Sequence, residues 1–325
     1  MVQQSVLDQM EAVAITGGPG TGKSVVSLWR HIRNHDTGIR MSLILTYAKT
    51  LKYYLSVSAA NENADAGMAV ARTYEWMAHY ASWQDEIIVD EAQDVESVRY
   101  PILKDYSDMI SYGADDQQIL YPNRATTQQQ LEALFPDNHP YELDENFRNS
   151  YEILHFVQSL LPNRMISQDI LQQLRARRST SILPKCMITS NDDAKQTQAI
   201  LDIISEFRSD SHNIGILLPL RRDVKTFHGL LVNRGIPCSR YLHDGEEIDE
   251  IDNVHVTTFK SAKGIEFDTV ILPDFHKWQQ NIRDLHVVEE NDYYVALTRA
   301  KRNLYMICKR DLPGINKAIC DKIRL

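Results

Sequence analysis

The sequence predicts an α/β protein of two tandem units, each a mostly parallel sheet flanked by helices. Three observations carry the prediction. In the first half the apolar runs AVAIT (12–16), MSLILTY (41–47), EIIVD (86–90) and MISYGA (109–114) are continuous rather than alternating, as strands buried on both faces are, and helical stretches separate them. Beyond residue 140 a second series begins, with CMITS, NIGILLP, VHVTTF, DTVILP and NLYMIC again interleaved with helical stretches. A glycine-rich segment, GGPGTGKS, joins the first strand to the first helix. The division is expected near residues 140–149, with the units taken as 1–142 and 143–325.

Taken in order, the first strand and its glycine loop lead into a helix over residues 23–34, and the second strand into one over 49–58. The second unit is expected to open with a strand at 141–143, followed by a helix over 150–161. Residues 162–185 read as a polar connection holding Arg164, Arg175, Arg177 and Arg178, either a phosphate track or a solvated link. Helices at 194–207 and 223–234 follow, and the acidic stretch 244–252 reads as a solvated loop.

With 43% hydrophobic and 24% charged residues, the chain can fill two modest cores. Its net charge of −9 excludes a blanket basic surface, so nucleic-acid binding would need a local cationic track. Cys186, Cys238, Cys308 and Cys320 form no close pair along the sequence and no ligand spacing, against a zinc site or disulfide framework. No apolar run approaches the ~20 residues that span a bilayer. The opening MVQQSVLDQM lacks the charge and apolar core of a signal peptide. A cytoplasmic protein without membrane contact is expected.

GGPGTGKS, residues 17–24, has the form glycine, four residues, Gly-Lys-Ser. Gly17, Gly18, Pro19, Gly20, Thr21 and Gly22 would let the backbone curl around phosphate oxygens, with loop and helix amides aimed at the anion. Lys23 would neutralise the terminal phosphates and Ser24 would offer its hydroxyl to Mg²⁺. A glycine turn of purely structural use has the same letters, but its strand–loop–helix context favours a nucleotide, ATP with Mg²⁺. At IIVDEAQD, Asp90 and Glu91 leave the carboxyl end of a buried strand, where ligands of parallel sheets collect. Asp90 suits the metal, and Glu91 suits a base that orients the attacking water.

From VDEAQD onward the sequence resembles the UvrD/Rep-like branch of superfamily 1 helicases, in that family's motif order. LTYAKTL (45–51), GADDQQIL (113–120), LDENFRNS (143–150), TFKSAKGIEFDTVIL (258–272) and YVALTRAKRNL (294–304) each resemble a family motif. The resemblance implies two RecA-like P-loop NTPase units that hydrolyse ATP between them. It implies γ-phosphate sensing by Gln117, arginine fingers at Arg148 and Arg299, and adenine stacking by Phe147. Gly264 and Glu266 would lie by the nucleotide, and Gln3, with Gln4 as the alternative, would read adenine. Strand contacts are implied for Thr46, Lys49, Arg72, Thr73, Tyr74 and Tyr121 from the first unit, and for Thr258 and Lys260 from the second.

Several positions depart from the family. Leu120 and Pro122 stand where it has stacking aromatics, Val25 where it often has an arginine, and Lys260 where it usually has histidine. About 30 residues separate the third and fourth motifs and about 100 the fourth and fifth, leaving no room for the family's accessory insertions. The expected function is an ATP-driven translocase on single-stranded nucleic acid, DNA ahead of RNA. The alternative is an ATP-gated regulatory or sensor subunit working with a nuclease or another protein. A kinase or small-molecule NTPase would leave the fifth and sixth motifs unexplained.

Overall fold

The computed structural model describes residues 2–164, 166–177, 181–241, 251–312 and 314–325. The chain divides into two units, Met1–Phe147 and Arg148–Leu325.

The first unit holds β1 (Val13–Gly17), β2 (Ser42–Thr46), β3 (Val70–Arg72), β4 (Glu86–Asp90), β5 (Ile110–Ala114) and β6 (His139–Leu143) in the order β3-β2-β4-β5-β1-β6. Its described pairings are all parallel. Its helices are α1 (Val2–Asp8), α2 (Lys23–Thr37), α3 (Lys49–Glu62), α4 (Ala64–Met68), α5 (Thr73–His79), α6 (Tyr100–Lys104) and α7 (Gln128–Leu134). Alternate strand residues feed opposite faces, as the two-residue strand period requires. Ile44 and Ile88 meet Leu28, Ile32, Leu51 and Leu55 on one side; Leu43, Leu45, Ile87 and Val89 share the other cluster with Trp76, Tyr100 and Leu131.

The strand at 141–143 does not open the second unit. It belongs to β6, whose residues 139–143 pair in register with 13–17 of β1, so the first unit runs on to Phe147. Sequence alone could not assign it, because an edge strand with an exposed, polar pattern carries little record of its partner.

The second unit holds β7 (Lys185–Ile188), β8 (Ile214–Leu218), β9 (Ser239–Tyr241), β10 (Val254–Thr258), β11 (Phe267–Leu272), β12 (Ala300–Cys308) and β13 (Asp321–Arg324). Their order is β13-β7-β12-β11-β8-β10-β9, again with parallel pairings. Helices α8 (Tyr151–Leu160), α9 (Gln168–Arg177), α12 (Trp278–Asp284) and α13 (Glu290–Leu297) serve one face. Helices α10 (Asp193–Phe207) and α11 (Arg221–Asn233) serve the other. The supposed polar connection contains α9, which buries Leu171 and Leu174 in the core while Arg175 and Arg177 stand in its last turn. Arg178 and residues 244–250 of the acidic stretch lie outside the described residues.

Cys186 and Cys308, separated along the sequence, are neighbours in space: β7 pairs with β12, and their sulfurs lie 3.6 Å apart as free thiols. Among the described residues no helix is long and apolar enough to cross a membrane.

His31 sits in the first core between the Ser42 hydroxyl (2.8 Å from Nδ1) and the Ala66 carbonyl (2.9 Å from Nε2). Burial pushes its pKa down to about 4. A depressed histidine contributes stability above its unfolded pKa near 6.5, lost as pH falls toward the folded value. The urea midpoint should therefore drop between pH 6.5 and 4, and His31→Gln should flatten that slope. An unchanged slope in the variant would show that His31 does not titrate with unfolding.

Candidate functional site

In the first unit the glycine loop follows β1 at the carboxyl edge of the sheet. Gly17 has φ 149°, and a Cβ there would meet the Leu143 carbonyl oxygen at 2.5 Å and the Thr21 hydroxyl at 2.8 Å, so β6 approaches too closely for any other residue. Gly20 and Gly22 also adopt positive φ, 76° and 94°. Gly22 is the N-cap of α2, so the amides of Lys23 and Ser24 open the helix at its positive end. Lys23 is buried, with Nζ donating to the carbonyls of Gly17 (2.7 Å) and Gly18 (3.0 Å) and lying 3.7 Å from Asp115. The Thr21 hydroxyl donates to Gly18, and the Pro19 and Gly20 carbonyls accept from the Asn146 amide and the Phe147 backbone.

Asp90 ends β4 beside this loop. Burial, reinforced by the neighbouring Glu91 charge, pushes its pKa up to about 7 against the hydrogen bond to Ser24 and the pull of Lys23. Asp90 Oδ2 is buried without a hydrogen-bond partner among the described residues. An orphaned carboxylate oxygen beside a serine hydroxyl is a hard-oxygen pair that fits Mg²⁺, which binds through one or two carboxylates plus phosphate oxygens and water. No cluster of three or more His, Cys, Asp or Glu residues that could hold a metal occurs among the described residues. Glu91 sits at φ 55°, a left-handed conformation uncommon outside glycine. Its carboxylate accepts from Gln93 Nε2 at 2.5 Å, and Gln93 Oε1 accepts from the Asp115 backbone at 3.1 Å. Asp115 in turn caps the turn carrying Gln117. Gln93 thus ties the end of β4 to the segment after β5, a role its sequence position did not announce.

Phe147 is 59% exposed beside the loop that its own backbone N–H contacts. Gln3 lies half-buried on α1, whereas Gln4 is bonded to Asp8. Buried Arg30 fastens the end of α1 and the following turn through the carbonyls of Val6, Gln9 and Glu11, with Nε on Glu86 at 2.8 Å.

The strand-contact candidates divide. Tyr121 and Tyr74 both meet Tyr47, with ring centroids 5.6 and 5.9 Å apart, and the Arg99 guanidinium lies over Tyr74. Arg72 donates to the Tyr47 carbonyl, and half-buried Lys49 opens α3. Tyr47 was not singled out from sequence; its aromatic character within LTYAKTL was the available signal. Thr46 and Thr73 are 0% and 1% exposed, and their hydroxyl oxygens are closed to solvent. Thr46 ends buried β2 and Thr73 opens α5 directly after β3, both at the carboxyl edge of the sheet.

In the second unit, Arg148, Gly264, Glu266 and Arg299 gather at the amino ends of β11 and β12. Arg148 Nε donates to Glu266 at 2.7 Å, and Lys301 lies 3.8 Å from the same carboxylate. Gly264 has φ 82° in the turn before β11. Arg299 is buried rather than projecting, with Nε donating to the Val295 carbonyl (3.1 Å) and Nη1 to Ile265 (3.5 Å). Asn149 Nδ2 holds the carbonyls flanking it, those of Thr298 and Ala300, which sequence reading missed. At the opposite, carboxyl edge, buried Thr258 bonds Ser261, and half-buried Lys260 lies 3.8 Å from Asp292.

Residues 10–182 match the family model of the Schlafen group 3 DNA/RNA helicase domain, and residues 239–311 that of the UvrD-like helicase C-terminal domain. An Acanthamoeba polyphaga mimivirus protein named "Putative ATP-dependent DNA helicase R568" is 26% identical over 243 residues, covering 68% of this chain and 34% of its own length. The RecB subunit of the RecBCD enzyme from Chlamydia pneumoniae is 31% identical over 70 residues, 22% of this chain and 6% of RecB. The chain thus spans about a third or less of these relatives. Among solved structures, the PRRSV helicase aligns over 97% of this chain and 55% of its own, at 14% identity and a TM-score of 0.49.

Proposed function

Because the chain belongs to the Schlafen group 3 DNA/RNA helicase domain family, within the superfamily 1 helicases, we propose that it is an ATP-driven translocase on single-stranded nucleic acid, DNA ahead of RNA. ATP with Mg²⁺ binds the loop at residues 17–24 and is hydrolysed between the two RecA-like units. The observation that carries this reading is the convergence of Lys23, Ser24, Asp90, Glu91 and Asp115 at one sheet edge, bridged by Gln93.

Each residue has a role in that reaction. Backbone N–H groups of Gly18, Gly20, Thr21 and Gly22 face the phosphates, Pro19 supplies the bend without a donor, and Lys23 neutralises their charge. Ser24 and Asp90 would hold Mg²⁺, which would supply positive charge against the phosphates. Glu91 orients and deprotonates the attacking water, and Gln117 senses the γ-phosphate. Phe147 stacks on adenine and Gln3 reads its edge. Arg148 and Arg299, with Gly264 and Glu266 beside them, stabilise charge on the transferring phosphoryl group. Glu266 accepts from Arg148 Nε and orients its guanidinium.

Strand binding falls to the Tyr47–Tyr74–Tyr121 cluster with Lys49 and Arg72, and to Lys260 with the Thr258 turn in the second unit. Thr46 and Thr73 support this surface from beneath. Base stacking on aromatic rings contributes ~1–3 kcal/mol per base. Tyr47→Ala should therefore weaken binding of a labelled single-stranded oligomer by roughly 5- to 150-fold, and an undiminished affinity would remove the cluster from the strand path.

A translocase must grip its track differently through the nucleotide cycle. Oligomer affinity should differ measurably between ADP and a non-hydrolysable ATP analogue, and should fall with rising salt. Equal affinity in every nucleotide state would refute translocation.

A second reading rests on the RecB match, since RecB is named as a subunit of a larger enzyme. Here the same ATPase reports to a protein partner such as a nuclease. A nucleotide-dependent complex recovered with the products of neighbouring genes would favour it.

A further inference from the structure

Helix α13 runs between two places that the proposed function uses for different ligands. β10 ends at Thr258, so Lys260 stands at the carboxyl edge of the second sheet. β12 begins at Ala300, so Arg299 stands at the amino edge of the same parallel sheet. Between them α13 spans eight residues, Glu290–Leu297, about 12 Å at helical rise. From Asn291 to Leu297 every residue is buried.

Both ends of this helix are fastened. At its first turn, Asp292 faces the Lys260 ammonium at 3.8 Å, and the Tyr293 ring packs against Phe259 with centroids 4.9 Å apart. Phe259 lies between Thr258 and Lys260, so two independent contacts join this segment to α13. Asp292 also accepts the Glu289 N–H at 2.8 Å in the capping box. At the last turn, the Thr298 hydroxyl donates to the Tyr294 carbonyl and Arg299 Nε to Val295. Asp292 is 2% exposed, and its Oδ1 has no hydrogen-bond partner among the described residues. Burial pushes its pKa up to about 6, against the pull of Lys260. Lys260 is therefore the cation on which this buried carboxylate depends.

We propose that α13 couples the strand-contact edge of the second unit to Arg299, with Asp292 as the positioning residue that senses whether Lys260 is engaged by a strand phosphate. A phosphate competes with Asp292 for the ammonium. When it wins, a buried carboxylate loses its counter-charge, which is unfavourable enough to shift the first turn of the helix. A short, buried helix moves as a rod, since close-packed interiors change arrangement rather than deform. The shift is delivered at the last turn, where the Val295 carbonyl of the helix accepts from Arg299 Nε.

This inference rests on the proposed strand-stimulated hydrolysis. The test measures ATP turnover of the full chain with and without a saturating single-stranded oligomer, in wild type, Asp292→Asn and Asp292→Glu. Asp292→Asn keeps the shape and the cap acceptor but removes the charge. We expect its strand-free turnover to stay within about twofold of wild type, while the ratio of stimulated to strand-free turnover falls by ~10-fold, within the usual range for coupled sites. Asp292→Glu should retain most of the stimulation, and the oligomer concentration giving half-stimulation should change little. An unaltered ratio in Asp292→Asn overturns the proposal, and so does a loss of strand-free turnover with a lowered melting temperature, which would mark a purely structural residue. If wild type itself shows no stimulation, it is the translocase reading that fails.

Discussion

Glu91→Gln should leave ATP affinity within a few-fold of wild type and lower turnover by roughly 10²–10⁴-fold, the usual contribution of a general base. Glutamine keeps the size of the side chain and can still offer an oxygen to Gln93 Nε2, so the bridge from β4 to Asp115 survives. What disappears is the charge able to draw a proton from water. The left-handed backbone at Glu91, φ 55°, persists because β4 and the turn after it fix the residue on both sides. Strain at such a point is usual where a side chain must be aimed. Equilibrium binding of a fluorescent ATP analogue, paired with steady-state turnover, separates the two effects. Turnover near the wild-type level would take the base role away from Glu91.

Arg299→Ala should lower turnover by about 10³-fold or more, the scale of an arginine finger, with a smaller effect on ATP affinity. The guanidinium is needed chiefly where charge builds on the γ-phosphoryl oxygens. The position of Arg299 adds a second consequence. Its Nη1 donates to the Ile265 carbonyl, which truncation would strand at about 1–3 kcal/mol, while the Val295 carbonyl keeps the Thr298 hydroxyl. Thermal melting must therefore accompany the kinetics, and Arg299→Lys, which keeps a cation and fills part of the space, serves as the control. A folded Arg299→Ala protein with normal turnover would refute the proposed finger role of Arg299.

The parts legible in the sequence are those encoded locally. The loop at 17–24 announces itself because four glycines, a lysine and a serine stand within eight positions, and EIIVD because a buried strand that ends in an acid breaks its own pattern. The helix starts at Lys23 and Lys49 were readable for the same reason. The parts that were not legible depend on partners distant in the chain. Tyr47 and Tyr121 meet through strand order, and Asn149 reaches Thr298 across 149 residues. Cys186 and Cys308 are neighbours only because β7 lies beside β12. Helix α9 was missed because its polar surface outnumbers the two leucines that anchor it. Strands β3, β9 and β13 have three or four residues each at or near sheet edges, too short for periodicity to register. Composition also could not reveal that Thr46 and Thr73 turn inward, since a threonine at a strand end is compatible with either side.

The departures from the family acquire a physical form. Leu120 is buried at 4% exposure and Pro122 is exposed, yet Tyr121 is joined by Tyr47 and Tyr74, so an aromatic surface is present in a different arrangement. Lys260, in place of the usual histidine, is matched by the buried Asp292.

The central claim is that nucleic-acid strand binding and ATP hydrolysis are linked in this chain. Its most direct test is the steady-state ATP turnover of the full chain against a panel of single-stranded, duplex and tailed DNA and RNA oligomers, each over a salt series. Low turnover alone, strong stimulation by single strands and tails, weak stimulation by blunt duplex, and a loss of stimulation as salt rises are expected. Turnover that is the same with every oligomer and without any would contradict it.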